Sequence, residues 1–134
     1  MDRRRLIALI DHDADVRQMV QEELTKACYR TFAIEKPEHA LEAFDEVHID
    51  GLIVDHLLPG MSGLLLVRQL RARHNFLPVI LTTRASDPDV TTEARAVGIH
   101  ELLQKQIEPR RLLTVATSWF GPSSTLVSTP SIDG

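Results

Sequence analysis

Gly51-Leu52-Ile53-Val54-Asp55-His56-Leu57-Leu58-Pro59-Gly60-Met61-Ser62-Gly63 is the stretch whose reading decides the fold. An unbroken apolar run of strand length, closed by turn residues, reads as a strand buried on both faces. Asp55 leaves that strand into a Pro/Gly turn. Rigid backbone therefore holds a carboxylate at a sheet edge, where an oxyanion nucleophile or a metal ligand would be useful.

Outward from this segment the same unit recurs. Leu6-Ile7-Ala8-Leu9-Ile10 is a second apolar strand, followed by a polar corner and by Val16, Met19, Val20, Leu24 and Ala27 at helical spacing. Thr31 to Ile34 reads as a weak strand. Pro37 to Val47 reads as a helix with Ala40, Leu41, Phe44 and Val47 inward, Pro37 suiting its first turn. After Asp55 come a helix over Leu64 to Arg71, a strand over Val79 to Thr82 and a helix from Pro88 to Val97. Ser86 or Asp87 is the expected cap of that helix, and Gly98 the left-handed residue that stops it. Leu102-Leu103 forms a short strand. Pro109 to Trp119 is the last helix, with Leu112, Leu113, Ala116, Trp119 and Phe120 on one side.

Five strands alternating with five helices predict an α/β fold, a doubly wound five-stranded parallel sheet with helices on both faces. Functional groups of such sheets collect beyond the carboxyl ends of the strands. Those ends carry Asp11, Asp13, Asp55, Thr83 and Lys105. Residues 1–120 form the expected domain; residues 121–134, rich in Ser, Thr, Pro and Gly without periodicity, read as a disordered tail, a linker or a remnant of expression.

Composition narrows the function classes. The 134 residues are 43% hydrophobic and 25% charged, with a formal net charge of −4, which argues against direct DNA binding or an anionic membrane surface. Cys28 is the only cysteine, so no internal disulfide, thiolate zinc cluster or CxxC motif can be built, and a reducing cytoplasm fits best. The basic start Asp2-Arg3-Arg4-Arg5 precedes an apolar run that meets Asp11 at once, too short for a signal peptide or a membrane span.

A carboxylate, further acids, a hydroxyl and an amine at one sheet edge suit phosphoryl transfer to a carboxylate. Asp55 would attack phosphorus, acids would hold a divalent cation, and Lys105 and Thr83 would bind the equatorial oxygens. Singly, each is weak evidence, because an Asp after a strand is more often a turn or cap residue. Their order along successive strands carries the inference.

Here the chain resembles the receiver domain of bacterial two-component response regulators, over about residues 5 to 120. The resemblance rests on Asp11-His12-Asp13-Ala14-Asp15-Val16-Arg17, on Asp55 with Pro59 and Gly63, on Pro78-Val79-Ile80-Leu81-Thr82-Thr83, and on Gly98 followed by Lys105. It implies a flavodoxin-like sheet in the order 2-1-3-4-5 and Asp55 as phosphoacceptor from a histidine kinase or phosphotransfer protein. It further implies Mg²⁺ held by Asp11, Asp55 and the main-chain carbonyl of Leu57, Thr83 as switch hydroxyl and Lys105 as the phosphate-contacting amine. The expected partners are that kinase or phosphotransfer protein, a downstream protein or effector domain, and a second copy of the chain through the face of the fourth helix, fifth strand and fifth helix. Arg95, His100, Gln104, Arg110 and Arg111 would lie on or near that face.

Four positions depart from the family pattern. His12 stands where a direct carboxylate ligand is expected, and Mg²⁺ prefers oxygen, whereas imidazole suits Zn²⁺, Cu²⁺ or Ni²⁺. Two unit charges about 4 Å apart at an effective dielectric of about 20 interact by roughly 4 kcal/mol. Loss of one carboxylate beside a dication is thus expected to cost on the order of a hundredfold in affinity. Three readings stay open: His12 as a solvent-facing turn residue beside a weakened Mg²⁺ site, Asp13 as a compensating acid, and His12 as a ligand for another metal. Arg84 follows Thr83 where a small residue is usual, and would either cover the pocket or donate to a phosphoryl group. Leu102 takes the place of the switch aromatic, and Gln106 that of the proline after the lysine, so that the Lys105 loop is expected to sit differently. His56 reads as a turn or partly buried side chain.

Two other function classes compete. A phosphorylation-independent pseudo-receiver acting as an interaction module would explain His12, Arg84, Leu102 and Gln106. An enzyme acting on an external substrate finds little to support it, with no substrate-sized insertion and no GxSxG or HExxH pattern.

Overall fold

The computed structural model describes residues 4–84 and 88–122. The elements run β1 (Leu6–Ile10), α1 (Ala14–Lys26), β2 (Arg30–Ile34), a 3₁₀ turn (Pro37–His39), α2 (Ala40–Glu46), β3 (Gly51–Asp55), β4 (Leu57–Leu58), β5 (Met61–Ser62), α3 (Gly63–Ala72), β6 (Val79–Thr83), α4 (Pro88–Ala96), β7 (Glu101–Gln104) and α5 (Pro109–Phe120). The main sheet is parallel throughout, in the order β2-β1-β3-β6-β7. This is the predicted 2-1-3-4-5 order, because β4 and β5 form a separate antiparallel ribbon.

Burial follows position in the sheet. Every residue of the three central strands β1, β3 and β6 is buried, whereas the edge strands β2 and β7 are only partly covered. Alternate side chains feed two cores. Ala8, Ile10, Leu52, Val54, Val79 and Leu81 pack with residues of α2, α3 and α4. Ile7, Leu9, Ile53 and Ile80 pack on the other face with Val20 and Leu24 of α1 and Leu112, Val115, Ala116 and Phe120 of α5. A fully buried Leu or Ile stabilises the fold by roughly 1.5–3 kcal/mol, so these two layers are the main favourable contribution.

Close packing explains one glycine. A Cβ on Gly51 would meet the ring of Phe120, so the start of β3 accepts α5 only without a side chain. Tyr29 meets Phe120 edge-on at 6.4 Å, and its hydroxyl donates to the carbonyl of Gly121.

Several expectations need correction. The segment from Pro37 is a 3₁₀ turn followed by a short α-helix that ends at Glu46; Val47 is extended and 38% exposed, because the helical phase no longer applies to it. Trp119 is 40% exposed and Leu113 half-buried. The last turn of α5 lies over Glu101, the first residue of an edge strand, and the indole N–H of Trp119 donates to the Glu101 carboxylate at 3.0 Å. At the sheet's rim the indole thus finds a carboxylate acceptor for its N–H while much of its ring stays exposed. The inward stripe is Leu112, Val115, Ala116 and Phe120. Ser86 and Asp87, the expected cap of α4, and residues 123–134 of the expected tail lie outside the described residues. Gly98 has φ +79, as its place after α4 requires.

Candidate phosphoacceptor and cation site

The carboxyl ends of β1, β3, β6 and β7 converge on one edge. Asp11 and Asp55 are only 2% and 3% exposed there, and the Lys105 ammonium, nearly as buried, lies 2.9 Å from Oδ2 of each. A lysine between two buried carboxylates leaves one net negative charge in a low-dielectric corner. Burial alone would draw its proton affinity down, but hydrogen bonds and charge from Asp11 and Asp55 outweigh this and hold the ammonium above the ordinary lysine value.

Local backbone fixes each member. The Asp11 carboxylate accepts from the Asp13 amide at 2.9 Å, and its main-chain carbonyl accepts from the Arg17 guanidinium at 2.5 Å. Asp55 Oδ1 accepts from the Leu57 amide at 3.4 Å. The Lys105 amide donates to the Thr83 carbonyl at 2.6 Å, extending the β6–β7 pairing by one residue. Gln106 then turns with φ +64, so the strand ends at once and the lysine side chain returns over the sheet edge. The turn after the lysine is thus made by a left-handed residue.

The segment after Asp55 is more ordered than its Pro/Gly content suggests. Leu57-Leu58 pairs with Met61-Ser62, and Pro59-Gly60, with φ +77 at Gly60, makes the tight connection. Ser62 caps α3 by accepting from the Leu65 amide at 3.0 Å. Gly63 donates to the His56 carbonyl at 2.8 Å, and a Cβ on Gly63 would collide with the Asp55 carbonyl. Ribbon and glycine together press the start of α3 against the end of β3.

The other expected site residues fall into two groups. His12 joins the cluster: its Nδ1 is 3.6 Å from Asp55 Oδ2, and donor atoms of Asp11, His12 and Asp55 all lie within 4.8 Å of one another. Thr83 is buried at the end of β6. Asp13 does not join; its Oδ1 caps α1, accepting from Asp15 and Val16 amides, and the Val16 hydrogen bond leads in lowering its carboxyl pKa. Leu57 is 60% exposed, Arg84 is exposed, and Leu102 is half-buried against the core. A cavity of about 290 Å³ beside the site is lined by Asp13, Asp15, Val16, Arg84, Lys105 and Gln106, among others. Two buried polar atoms near Asp55, Thr82 Oγ1 and His56 Nδ1, have no hydrogen-bond partner among the described residues. Thr82 is the β6 residue in register with Asp55, whereas the sequence singles out its neighbour Thr83.

Oxygen donors from Asp11 and Asp55 fit a divalent cation; the third side chain at hand is an imidazole, which fits Mg²⁺ poorly.

The pattern of the response regulator receiver domain matches residues 7–117. The chain belongs to that family. The DNA-binding transcriptional regulator NtrC of Klebsiella pneumoniae is 33% identical over 100 residues, 75% of this chain and 21% of NtrC. The regulatory protein VanR of Enterococcus faecium is 28% identical over 107 residues, 80% of this chain and 46% of VanR. The chain therefore spans less than half of these relatives. Among solved structures, the chemotaxis protein CheY4 of Vibrio cholerae superposes with a TM-score of 0.82 at 26% identity, covering 87% of this chain and 98% of CheY4. This receiver domain thus has the CheY-like fold of two-component signalling. Among the described residues no helix is long and apolar enough to cross a membrane.

Proposed function

We propose that this receiver is a cytoplasmic phosphoacceptor module, phosphorylated on Asp55 by a histidine kinase or phosphotransfer protein. The observation that carries the reading is the buried Lys105 ammonium 2.9 Å from both Asp11 and Asp55. Asp55 attacks the donor phosphorus, the bond from phosphorus to the donor nitrogen breaks, and an acyl phosphate forms on the carboxylate. Lys105 then exchanges its contact with the carboxylate for one with the phosphoryl oxygens, and Thr83, tied by its carbonyl to Lys105, supplies a hydroxyl at the same edge. A bound dication, held by Asp11, Asp55 and the Leu57 carbonyl, would offset the added negative charge. Apart from forming and hydrolysing its own acyl phosphate, the domain acts on no substrate.

The output is contact through α4, β7 and α5, with a downstream protein, an effector domain or a second copy of the chain. Arg95, Gln104, Arg110 and Arg111 are exposed on or near these elements, and Trp119 adds an exposed aromatic edge. Retention of Asp55, Thr83 and Lys105 favours this reading over a phosphorylation-independent interaction module. Incubation with acetyl phosphate and a divalent cation, followed by intact mass, is expected to show one phosphate-sized gain that Asp55→Asn removes. Absence of the gain in any cation, or its persistence in Asp55→Asn, rejects the proposal.

A further inference from the structure

The cluster of Asp11, His12 and Asp55 is an unusual place for Mg²⁺. Each carboxylate spends one oxygen on a backbone amide, and the Oδ2 atoms that remain both face the Lys105 ammonium. With His12 neutral the group carries one net negative charge, two carboxylates against one ammonium. A hard cation that binds through charge and oxygen alone gains little from such a site. Asp13 does not make good the missing acid, because it is the cap of α1.

The third donor is of another kind. Nδ1 of His12 lies 3.6 Å from Asp55 Oδ2. Two ligands each about 2.1 Å from one tetrahedral ion stand about 3.4 Å apart, so this pair is spaced closely enough for one ion to contact both once Lys105, 2.9 Å from the same Oδ2, gives way. The imidazole is 43% exposed, which gives an ion a path from solvent to two carboxylates that are almost wholly buried. Borderline transition-metal dications gain from imidazole what Mg²⁺ does not.

We infer that Asp11, His12 and Asp55 form a mixed imidazole and carboxylate site selective for a borderline transition-metal dication, of the Co²⁺ or Zn²⁺ class, over Mg²⁺. The inference deepens the phosphoacceptor reading and rests on it for the use of the metal, whereas binding itself needs no phosphorylation. His12 thereby sets which ion is present when Asp55 reacts.

The test is calorimetric titration of the metal-stripped chain with Co²⁺ and with Mg²⁺, alongside the visible absorption of the Co²⁺ form. The variants are His12→Ala, His12→Asp and, as control, His48→Ala, since His48 also lies beside a carboxylate, 3.0 Å from Asp50. Co²⁺ is expected to bind the unmodified chain at least about a hundredfold tighter than Mg²⁺ and to lose about tenfold or more in His12→Ala. His12→Asp is expected to gain on the order of a hundredfold for Mg²⁺. His12 and His48 are both exposed, so all variants are expected to fold, which far-ultraviolet circular dichroism checks. Equal Co²⁺ affinity with and without His12, or loss of Co²⁺ binding in His48→Ala instead, overturns the inference. Its failure and that of the phosphoacceptor reading are separable: a phosphate-sized gain on Asp55 without His12-dependent selectivity refutes only the metal site. His12-dependent Co²⁺ binding with no gain in any cation refutes only the phosphoacceptor.

Discussion

At the scale of one residue, Gly63 does as much for the site as the groups that carry its chemistry. It has no charge and no side chain, yet it opens α3 where a Cβ would strike the Asp55 carbonyl, and its amide holds the His56 carbonyl. A methyl group there must push α3 away from β3 or tilt the end of β3, and overpacking of this kind costs about 1–3 kcal/mol. Gly63→Ala is therefore expected to lower the urea-unfolding free energy by that amount and to slow acetyl phosphate labelling of Asp55 through displaced geometry. Unchanged stability and labelling would refute the close-approach argument. The positions of Asp11, Asp55, Thr83 and Lys105 were legible in the sequence because strand ends follow from apolar runs, and residues at strand ends meet in a parallel sheet. The spending of Asp13 was not legible. A cap and a ligand have the same side chain, and only the backbone that follows decides which use is made of it.

At the scale of the element, three helices end in the same hydrogen-bond pattern with different residues. After α1 the amides of Cys28 and Tyr29 reach Thr25 and Leu24; after α3 those of His74 and Asn75 reach Arg71 and Leu70; after α4 those of Gly98 and Ile99 reach Arg95 and Ala94. Each needs a left-handed residue, and φ is +69 at Cys28, +61 at His74 and +79 at Gly98. A side chain in that conformation costs roughly 1–2 kcal/mol, of which glycine's larger unfolded-state entropy gives back about half. Cys28→Gly and His74→Gly are each expected to stabilise the fold by about 0.5–1 kcal/mol, raising the melting temperature by roughly 2–6 °C in thermal unfolding. No rise in either variant would show that the present side chains compensate through contacts of their own. Only the end of α4 was marked in the sequence, by Gly98, since a cysteine or a histidine carries no signal for a left-handed turn. The parallel, doubly wound sheet, by contrast, was legible from the alternation of apolar runs and helical periods, whereas its strand order came from the family resemblance. Side-chain staples across distant segments were not. Arg71 donates to the carbonyls of Asn75, Leu77, Val97 and Gly98, and so ties the end of α3 to the end of α4 across 26 residues of sequence.

At the scale of the whole molecule, two groups at opposite ends of the sheet set opposite limits on stability against pH. His100 precedes β7; its Nδ1 accepts from the Val79 amide at 3.2 Å, and its ring meets Trp119 edge-on at 5.1 Å. Burial, helped by the charge of Arg71, holds its pKa below the ordinary histidine value. The unfolded chain therefore binds the His100 proton more readily than the folded one, so this contribution is complete above the ordinary histidine pKa and is lost as pH falls through it. Lys105 has the reverse sign. Its pKa is raised in the folded state, so its contribution is complete below the ordinary lysine value and is lost only as pH climbs above it. Between the two limits neither group gives a slope. His100→Asn keeps an acceptor for the Val79 amide but removes the titration. The difference in urea midpoint between unmodified and His100→Asn chains is therefore expected to be flat from about pH 8 to about pH 7 and to shift in favour of the variant as pH falls toward about 5. A difference that stays constant across that range would mean that His100 protonates as easily in the folded protein as in the unfolded chain. In that case its bond to the Val79 amide does not hold it neutral.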